Sequence, residues 1–300
     1  MKYGWLNIDK PYNMSSGKVV GIIKKMLKCK VGHAGTLDPL ATGVLPIAYG
    51  EATKTATYMV DTVKTYKTTF QWGEQRDTDD AAGEVIATSS IKPTEESIRE
   101  VLSRYIGTIK QIPAVYSAIK IGGKKAYDLA RRGKNVALEP RNVCILGIEL
   151  ISVDQEKNTV DLFVTCKKGV YIRSLARDFG AALGCLGYVA SLRRTRVGSF
   201  TEESAIPLCD FQGYVENSKL DEISFPIDAV MEKIARVEVD EKTAKLLKNG
   251  LSIRLDEVSS NGLYIAENYD MCYLSQVGGG PVAVCKVVDG TVSPVRVFNV

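Results

Sequence analysis

Two hydrophobic spacings follow one another along the first two thirds of this chain, and together they require a fold that mixes helices with strands. Residues 66–72 alternate apolar and polar side chains, which is the period-two pattern of a strand with one buried face. Ser15 and Ser16 can cap a helix whose apolar positions between Val19 and Leu27 form one stripe. A chain that switches between both spacings is neither all-helical nor all-strand.

Later segments repeat this mixture. Thr94 opens a second helix after a proline, and Gly107 ends it. The expected apolar positions of this helix are Ile98, Val101, Leu102, Tyr105 and Ile106. Residues 162–166 predict a strand, and residues 172–183 predict a helix that follows it after a short turn.

The pattern changes after residue 232. Asp240 can cap a short helix that stops at Gly250. The remaining strand-like runs are short, are separated by turn residues, and cover residues 263–266, 282–288 and 295–298. Such runs fit a small β-rich barrel. Because 300 residues at roughly 150 per domain make about two domains, we expect domains at residues 1–232 and 233–300.

The charge of the chain is distributed unevenly. Residues 1–200 carry 30 Lys and Arg against 19 Asp and Glu, whereas residues 201–232 carry one basic residue against eight acidic ones. The remaining residues balance, so the net charge is only +4. A large basic segment favours a polyanionic partner such as nucleic acid, and the acidic segment is typical of a solvated surface turned away from that partner.

Several function classes lack their sequence signatures. Neither phosphate-binding glycine motif is present, the only histidine is His33, and no two cysteines form a C-x-x-C pair. We therefore expect no cofactor and no metal. Asp77, Asp79, Asp80 and Gly83 resemble part of a calcium loop, but their spacing favours a solvated turn. Without a signal sequence or an uncharged stretch of membrane-spanning length, a cytoplasmic protein with no membrane partner is expected.

An unusual stretch at residues 32–46 has three glycines and two prolines but neither helical nor strand spacing. It predicts a shaped loop whose glycines permit close approach to a ligand. Asp38 is the only carboxylate in this stretch. Asp38 either caps the turn at Pro39 or serves as a covalent nucleophile, and the second role requires a cation nearby.

A candidate cation lies at a predicted strand-to-helix junction. Tyr171 and Arg173 are two residues apart there and can project towards one pocket, where an arginine would pair with a carboxylate. The alternative is an aromatic side chain in the core and an arginine on the surface. Two basic clusters would also suit phosphates: Lys120, Lys124, Lys125, Arg131, Arg132 and Lys134 form the first, and Arg193, Arg194 and Arg196 the second.

These segments together resemble the TruB class of tRNA pseudouridine synthases. G-H-A-G-T-L-D-P-L-A-T-G-V-L-P at residues 32–46, followed by G-E-A-T-K at 50–54, is similar to the catalytic-loop signature of that class, with A-G-T in place of the commoner T-G-A or T-G-T. Further motifs of the class follow in order: D-K-P at 9–11, M-S-S at 14–16, K-x-Y-K at 64–67, the R-D-T-D-D-A-x-G run from Arg76, Q-I-P-A-V-Y-S-A-I-K through G-K-K-A-Y-D-L-A-R-R-G at 111–133, K-G-V-Y-I-R-S-L-A-R-D at 168–178 and L-R-R-T-R-V-G at 192–198. The similarity spans nearly the whole catalytic region.

The resemblance implies an enzyme that isomerises a uridine in the T loop of tRNA, at position 55, to pseudouridine. Asp38 matches the nucleophile of the class, which attacks either the pyrimidine ring or the sugar C1′. The base is then released, rotated and rejoined through C5. By the same resemblance Arg173 pairs with Asp38, and Tyr171 handles the C5 proton. The target base must be flipped out of the folded loop to react.

Four more residues receive substrate-binding roles from the resemblance. Tyr66 is expected to stack on the flipped base, and the backbone at Leu192 to help seat the uracil. His33 is expected to contact the RNA where the base leaves, and Lys10 to support the pocket. Core packing for Leu192 and a surface position for Lys10 are the alternatives.

The expected architecture is α+β. A catalytic domain with a mixed, mostly antiparallel sheet flanked by helices precedes a small β-barrel domain that resembles the PUA domain. The partner implied is tRNA, through its T-arm stem-loop, with no protein partner, and a monomer is the default. Affinity is expected to come largely from basic residues on phosphates, with RNA shape setting specificity.

Rival functions make different predictions. A tRNA-binding fold chaperone without turnover would keep its role after Asp38→Asn. A hydrolase with an aspartate nucleophile would need a metal or a second carboxylate in reach at the loop. A uridine methyltransferase with a cysteine nucleophile would need an activated, exposed cysteine and a methyl-donor loop. The sequence displays none of these last features.

Overall fold

The structure is a computed structural model that describes residues 3–117, 119–133, 136–232, 234–256 and 270–300. Within the first 232 residues the strands are β1 (Gly4–Lys10), β2 (Val31–His33), β3 (Thr42–Tyr49), β4 (Lys64–Trp72), β5 (Glu74–Arg76), β6 (Val85–Thr88), β7 (Gly107–Gln111), β8 (Lys120–Ile121), β9 (Lys124–Lys125), β10 (Arg141–Asp154), β11 (Thr159–Cys166), β12 (Gly187–Val197), β13 (Phe200–Thr201), β14 (Ile206–Pro207) and β15 (Ser224–Phe225). The helices of this part are α1 (Ser16–Leu27), α2 (Ala56–Val60), α3 (Glu95–Arg104), α4 (Ala126–Ala130), α5 (Ile172–Ala182) and α6 (Leu208–Glu216).

One large sheet organises this part of the chain. Its main path runs β14-β1-β3-β12-β4-β11-β10-β7, with β13, β15 and β2 attached to single neighbours. Most neighbours are antiparallel, and β1 with β14 and β3 with β12 are parallel pairs. The predicted fold class, a mixed and mostly antiparallel sheet flanked by helices, is confirmed.

The local signals at the helix ends hold in the structure. Ser15 caps α1, because its hydroxyl accepts a hydrogen bond from the Lys18 backbone N–H at 3.2 Å. Thr94 caps α3 in the same way. The prediction that Ile106 belongs to the apolar face of α3 is wrong, because α3 ends before this residue and Ile106 is 49% exposed. The chain turns into β7 there, so Ile106 no longer faces the core.

The central strands bring distant segments side by side. In β4 the residues alternate between buried and less buried, as the period-two pattern predicts. Strand β12 lies between β3 and β4, and the Cα partners of its Arg194 are Gly43 on one side and Tyr66 on the other. The segment around residue 43 is therefore next to a strand that comes 150 residues later.

Two hydrophobic clusters support this sheet. The larger one packs helices against one face and includes Ile23 of α1, Phe70 of β4 and Phe179 of α5. The second includes Trp5 of β1 together with Phe298, near the end of the chain. Because this second cluster contains residues from both ends of the sequence, the C-terminal part packs directly on the main sheet.

The C-terminal part forms its own sheet. Its elements are β16 (Ala235–Val239), α7 (Glu241–Lys248), β17 (Ile253–Arg254), β18 (Met271–Gln276), β19 (Pro281–Val288) and β20 (Thr291–Val297), and the strand order is β16-β18-β19-β20-β17. Asp240 caps α7 as predicted. The predicted barrel is a curled, five-stranded half-barrel over the described residues, and the strand expected at residues 263–266 lies outside them. Among the described helices, none is long and apolar enough to cross a membrane.

Candidate active site

The β2–β3 loop, residues 34–41, is held by one hydrogen bond within the loop and by two side chains from earlier in the chain. The backbone N–H of Leu37 donates to the Ser16 hydroxyl at 2.8 Å, and the Asp38 carbonyl accepts from the Ala41 N–H at 3.1 Å. Lys10 Nζ donates to the Pro39 carbonyl at 3.2 Å. These bonds leave the Asp38 side chain 37% exposed, so a fixed carboxylate faces solvent.

Arg173, at the start of α5, pairs with this carboxylate. Its Nε lies 2.9 Å from Oδ2 of Asp38. Its two terminal nitrogens donate to the carbonyls of Thr78 and Tyr116, each at 2.9 Å. These two hydrogen bonds fix the guanidinium. Because the Arg173 side chain is only 5% exposed, water screens its charge poorly. The structure thus brings together the two residues that the sequence analysis pairs.

A second carboxylate approaches the same guanidinium. Oδ2 of Asp80 lies 3.6 Å from Nε of Arg173, and Asp80 is buried. The neighbouring Asp79 is also buried and pairs with Arg177 at 2.9 Å; burial raises its pKa to about 6, against the opposing charges of Arg177 and Arg173. The prediction of a solvated turn is therefore wrong for Asp79 and Asp80, because helix α5 supplies arginines that cover them.

Tyr171 directly precedes α5 and is fixed through its backbone. The Gln111 side chain accepts from the Tyr171 N–H at 2.9 Å and donates to the Tyr171 carbonyl at 3.2 Å. Burial raises the pKa of the Tyr171 phenol, and the charge of Asp38 raises it further. The phenol is therefore neutral at physiological pH and lies within the field of Asp38.

Tyr66 and Leu192 lie on the neighbouring strands β4 and β12. Both are buried, each with 8% of its surface exposed. Burial raises the pKa of the Tyr66 phenol, the Arg194 guanidinium opposes this, and the charge of Asp38 adds to it. Leu192 is the Cα partner of Thr68. The two predicted binding residues thus come from the sheet that lies under the β2–β3 loop.

Lys10 is completely buried and makes three hydrogen bonds from its ammonium group. The acceptors are the carbonyls of Pro11, Met14 and Pro39, at 2.8, 2.6 and 3.2 Å. Burial lowers the pKa of Lys10 to about 8, while the charge of Asp38 opposes that shift. The surface alternative for Lys10 is wrong. Because no part of the side chain is exposed, Lys10 supports the loop and has no free surface for a ligand.

His33 is the last residue of β2 and is partly buried. Its Nδ1 is buried, and no hydrogen-bond partner meets it among the residues that the structure describes. Burial lowers the pKa of the imidazole, and the charge of Arg194 lowers it further. The ring is therefore neutral at physiological pH and carries an unused polar atom.

The two predicted basic clusters differ in the structure. The described members of the first cluster lie on β8, on β9 and just after α4, and they are exposed; Lys134 lies outside the described residues. For the second cluster, the prediction of phosphate binding is wrong for two of the three arginines. Arg193 pairs with Asp9 and Glu202, and Arg194 is 1% exposed. Only Arg196 of the second cluster is exposed.

Sequence reasoning missed the groups that hold this site together. Asp80, Gln111 and Arg194 act on residues that are tens of positions away, and no local spacing signals such contacts. Within the described ranges, no group of three or more His, Cys, Asp or Glu side chains is placed to hold a metal ion. The arrangement is a semi-exposed carboxylate with a buried arginine behind it, flanked by two tyrosines.

Comparison with protein families gives two matches that together cover residues 24–232. Residues 24–172 match the N-terminal domain of the TruB family pseudouridylate synthases, and residues 173–232 match the C-terminal domain of tRNA pseudouridylate synthase B. The second match ends where the predicted boundary lies. Together the two matches cover more than half of the chain.

Similar proteins carry the same name. A tRNA pseudouridine synthase B of Anaplasma phagocytophilum is 63% identical over 300 residues, which is all of both chains. The protein of that name from Anaplasma marginale is 58% identical over 301 residues, covering all of this chain and 98% of the relative. The protein of that name from Ehrlichia chaffeensis is 47% identical and covers 99% of this chain.

Solved structures share the fold. A crystal structure of a Cbf5-Nop10-Gar1 complex contains a chain that is 27% identical, with a TM-score of 0.70 over 95% of this chain and 78% of that one. A chain in the structure of an H/ACA RNP bound to a substrate RNA containing 2'-deoxyuridine aligns with a TM-score of 0.72 at 24% identity, covering 99% of this chain and 85% of that one. The likeness includes the C-terminal part as well as the main sheet.

Proposed function

Because this chain belongs to the TruB family of pseudouridylate synthases, we propose that it isomerises the uridine at position 55 in the T loop of tRNA to pseudouridine, with Asp38 as the nucleophile. The chain is a pseudouridine synthase, and its 63% identical relative is named for tRNA. The single observation that carries the assignment of the nucleophile is the Asp38–Arg173 pair, 2.9 Å apart. It combines an accessible carboxylate with a buried cation directly behind it.

The reaction is an isomerisation, so it needs no external reductant or group donor. Asp38 forms a covalent bond either to the pyrimidine ring or to C1′ of the sugar, and the bond between N1 of the base and C1′ breaks. The bond to Asp38 breaks in turn before the product is released. The released base turns and rejoins C1′ through its C5 carbon; N1 gains a proton and C5 loses one. Arg173 holds the Asp38 carboxylate in position throughout.

The two tyrosines take separate parts in this sequence. Tyr66 presents its ring to the flipped uracil from strand β4, and the Leu192 backbone on β12 helps to seat the base. Tyr171 is neutral before the reaction because burial raises its pKa; it gives its phenolic proton to N1 of the base, and the phenolate then takes the proton from C5, which restores the phenol. His33 is only partly buried, and its accessible part contacts the RNA where the base leaves.

The rest of the chain serves to hold the tRNA. The excess of Lys and Arg in residues 1–200 supplies phosphate contacts, including those of the exposed hairpin Lys120–Lys125. Residues 1–232 form the catalytic domain, and residues 233–300 form a PUA-like domain that rests on the tRNA. In this proposal the chain acts on the tRNA as a monomer.

Chemical mapping of pseudouridine in a full-length tRNA transcript tests the proposal. After incubation with the protein and no added metal or cofactor, we expect one new pseudouridine, at position 55. A transcript whose T-loop uridine is replaced by cytidine is the control and should remain unmodified. Pseudouridine at another position would contradict the site assignment, and RNA binding without any pseudouridine would favour a fold chaperone.

A further inference from the structure

Arg194 occupies a central position in the site that the proposed mechanism does not use. On β12 it is the Cα partner of Tyr66 on β4 and of Gly43 on β3. Paired residues on neighbouring strands direct their side chains to the same face of a sheet. Arg194 therefore lies between the strand that carries the base platform and the strand that follows the β2–β3 loop.

The guanidinium of Arg194 ties the two ends of that loop. Its Nε donates to the Val44 carbonyl at 2.8 Å, and its Nη2 donates to the Gly35 carbonyl at 3.0 Å. Gly35 comes three residues before Asp38, and Val44 comes six residues after it. One rigid, planar group thus sets the separation of the segments on both sides of the nucleophile.

Arg194 is 1% exposed, and no carboxylate pairs with it among the described residues. Burial of a cation without a counter-ion is costly, so an arginine in such a place needs another reason for its presence. A carbonyl-bonded arginine that served only to stabilise the sheet would be replaceable by an apolar side chain of similar volume. Arg194 instead bonds the backbone on both sides of Asp38 and lies beside Tyr66.

Arg194 also lies beside Tyr66, since the two residues are partners across β12 and β4. The charge of the guanidinium lowers the pKa of the Tyr66 phenol against the effect of burial. Gly43 allows the strands to come this close: its φ is +96°, and a Cβ atom there would lie 2.2 Å from the Arg194 carbonyl oxygen. The backbone and the side chain of Arg194 are both fitted to this position.

We propose that Arg194 is a positioning residue that fixes the loop bearing Asp38 and the ring of Tyr66 relative to one another. The inference rests on the proposed function, since it concerns the distance between nucleophile and flipped base. Lysine keeps the charge but cannot bond both carbonyls from one planar group. The alignment of the reacting groups therefore depends on arginine at this position.

A double-mutant cycle tests the inference. The variants are Arg194→Lys, Tyr66→Phe and the double variant, and the readout is the single-turnover rate at saturating T-arm RNA labelled with tritium at uridine C5. We expect Arg194→Lys to lower the rate by about 10- to 100-fold, the scale of a misalignment of reacting groups, with the Kd for RNA unchanged. In the Tyr66→Phe background the same change should cost much less, because the hydroxyl on which the Arg194 charge acts is gone.

Arg193→Lys is the matched control. It changes the neighbouring residue on the same strand, which pairs with Asp9 and Glu202, and should leave the rate unchanged and independent of Tyr66→Phe. The inference would be overturned if Arg194→Lys lowered the rate by the same factor in the wild-type and Tyr66→Phe backgrounds, or if the Arg194→Lys variant kept the wild-type rate. If Arg194→Lys does not fold, Tyr66→Phe alone decides, since a wild-type rate for that variant also overturns it. Inactivity of the unmodified protein would instead overturn the proposed function and this inference with it.

Discussion

Nε of Arg173 lies 2.9 Å from Oδ2 of Asp38 and 3.6 Å from Oδ2 of Asp80, so one buried guanidinium faces two carboxylates that come from different loops. Asp38 is partly exposed and Asp80 is buried. The buried carboxylate offsets the cost of burying Arg173, and the exposed one remains available for chemistry. This division explains how a cation with so little solvent contact can stand behind a reactive carboxylate.

Replacement of Arg173 by lysine should separate charge from geometry. Lysine cannot reach Asp38 while also bonding the Thr78 and Tyr116 carbonyls, so the aim of Asp38 is lost. We expect kcat to fall by about 100-fold or more, with a much smaller change in KM. Steady-state kinetics on T-arm RNA measures both. Arg99→Lys, on the exposed face of α3, is the control and should retain both constants; a retained kcat in Arg173→Lys would contradict the assigned role.

The buried Lys10 gives stability a defined pH dependence. Its pKa is lowered from the ordinary value of 10.5 to about 8 in the folded state, mainly by burial. Between these values the unfolded chain binds more protons than the folded one, so stability rises with pH in this window and the penalty for burying the charge is largest below pH 8. The free energy of unfolding of the wild type, relative to Lys10→Met, should grow by roughly 2 kcal/mol between about pH 7 and 10.

Denaturant titrations of both proteins across this range measure that difference. Groups common to the two proteins, such as the tyrosines and cysteines, cancel in it. Lys18→Met, on the exposed surface of α1, is the control for the loss of a lysine that is not buried. A flat difference for Lys10→Met would show that its ammonium group titrates as in the unfolded chain.

Gly43 is expected to be intolerant of substitution. In Gly43→Ala the residue must keep a φ of +96° and place its Cβ 2.2 Å from the Arg194 carbonyl oxygen. We expect the free energy of unfolding to fall by about 3 kcal/mol or more, together with loss of activity. Gly21→Ala, inside α1 with open space around it, should instead raise stability by up to about 1 kcal/mol. Thermal unfolding of the two variants checks the contrast, and equal stabilities would refute it.

Affinity for tRNA should depend strongly on salt. The exposed members of the 30 basic residues among the first 200 neutralise phosphates and release counter-ions on binding. We expect the Kd for T-arm RNA to rise by about 100-fold or more between about 50 and 200 mM salt. Replacement of both Lys124 and Lys125 by glutamine should make the slope of log Kd against log salt shallower. A Kd that hardly changes with salt would contradict the electrostatic account.

Local features of the chain could be predicted well. The caps Ser15, Thr94 and Asp240 lie beside the helices they begin, and residues 64–72 carry their burial pattern in their own alternation. The prediction for Ile106 failed because the chain leaves α3 before this residue and turns into the next strand, which leaves Ile106 exposed. A helix period describes a segment only as long as the helix continues.

Features that depend on distant partners could not be predicted. Asp79 and Asp80 have the composition of a solvated turn, but Arg177 and Arg173 reach them from a helix almost 100 positions later. Arg194 has the sequence context of a surface cluster, yet β12 lies inside the sheet between β3 and β4. Charged residues at both places are buried because the topology supplies partners that no window of sequence contains.

Tritium release from a tRNA transcript labelled at uridine C5 tests the central claim most directly. The intact protein and Asp38→Asn are compared without added metal or cofactor, and binding of both to the RNA is measured in parallel. We expect release by the intact protein and none by Asp38→Asn, with equal RNA binding, because asparagine fills the same space without a nucleophilic carboxylate. Release by Asp38→Asn at the rate of the intact protein would show that another group performs the reaction.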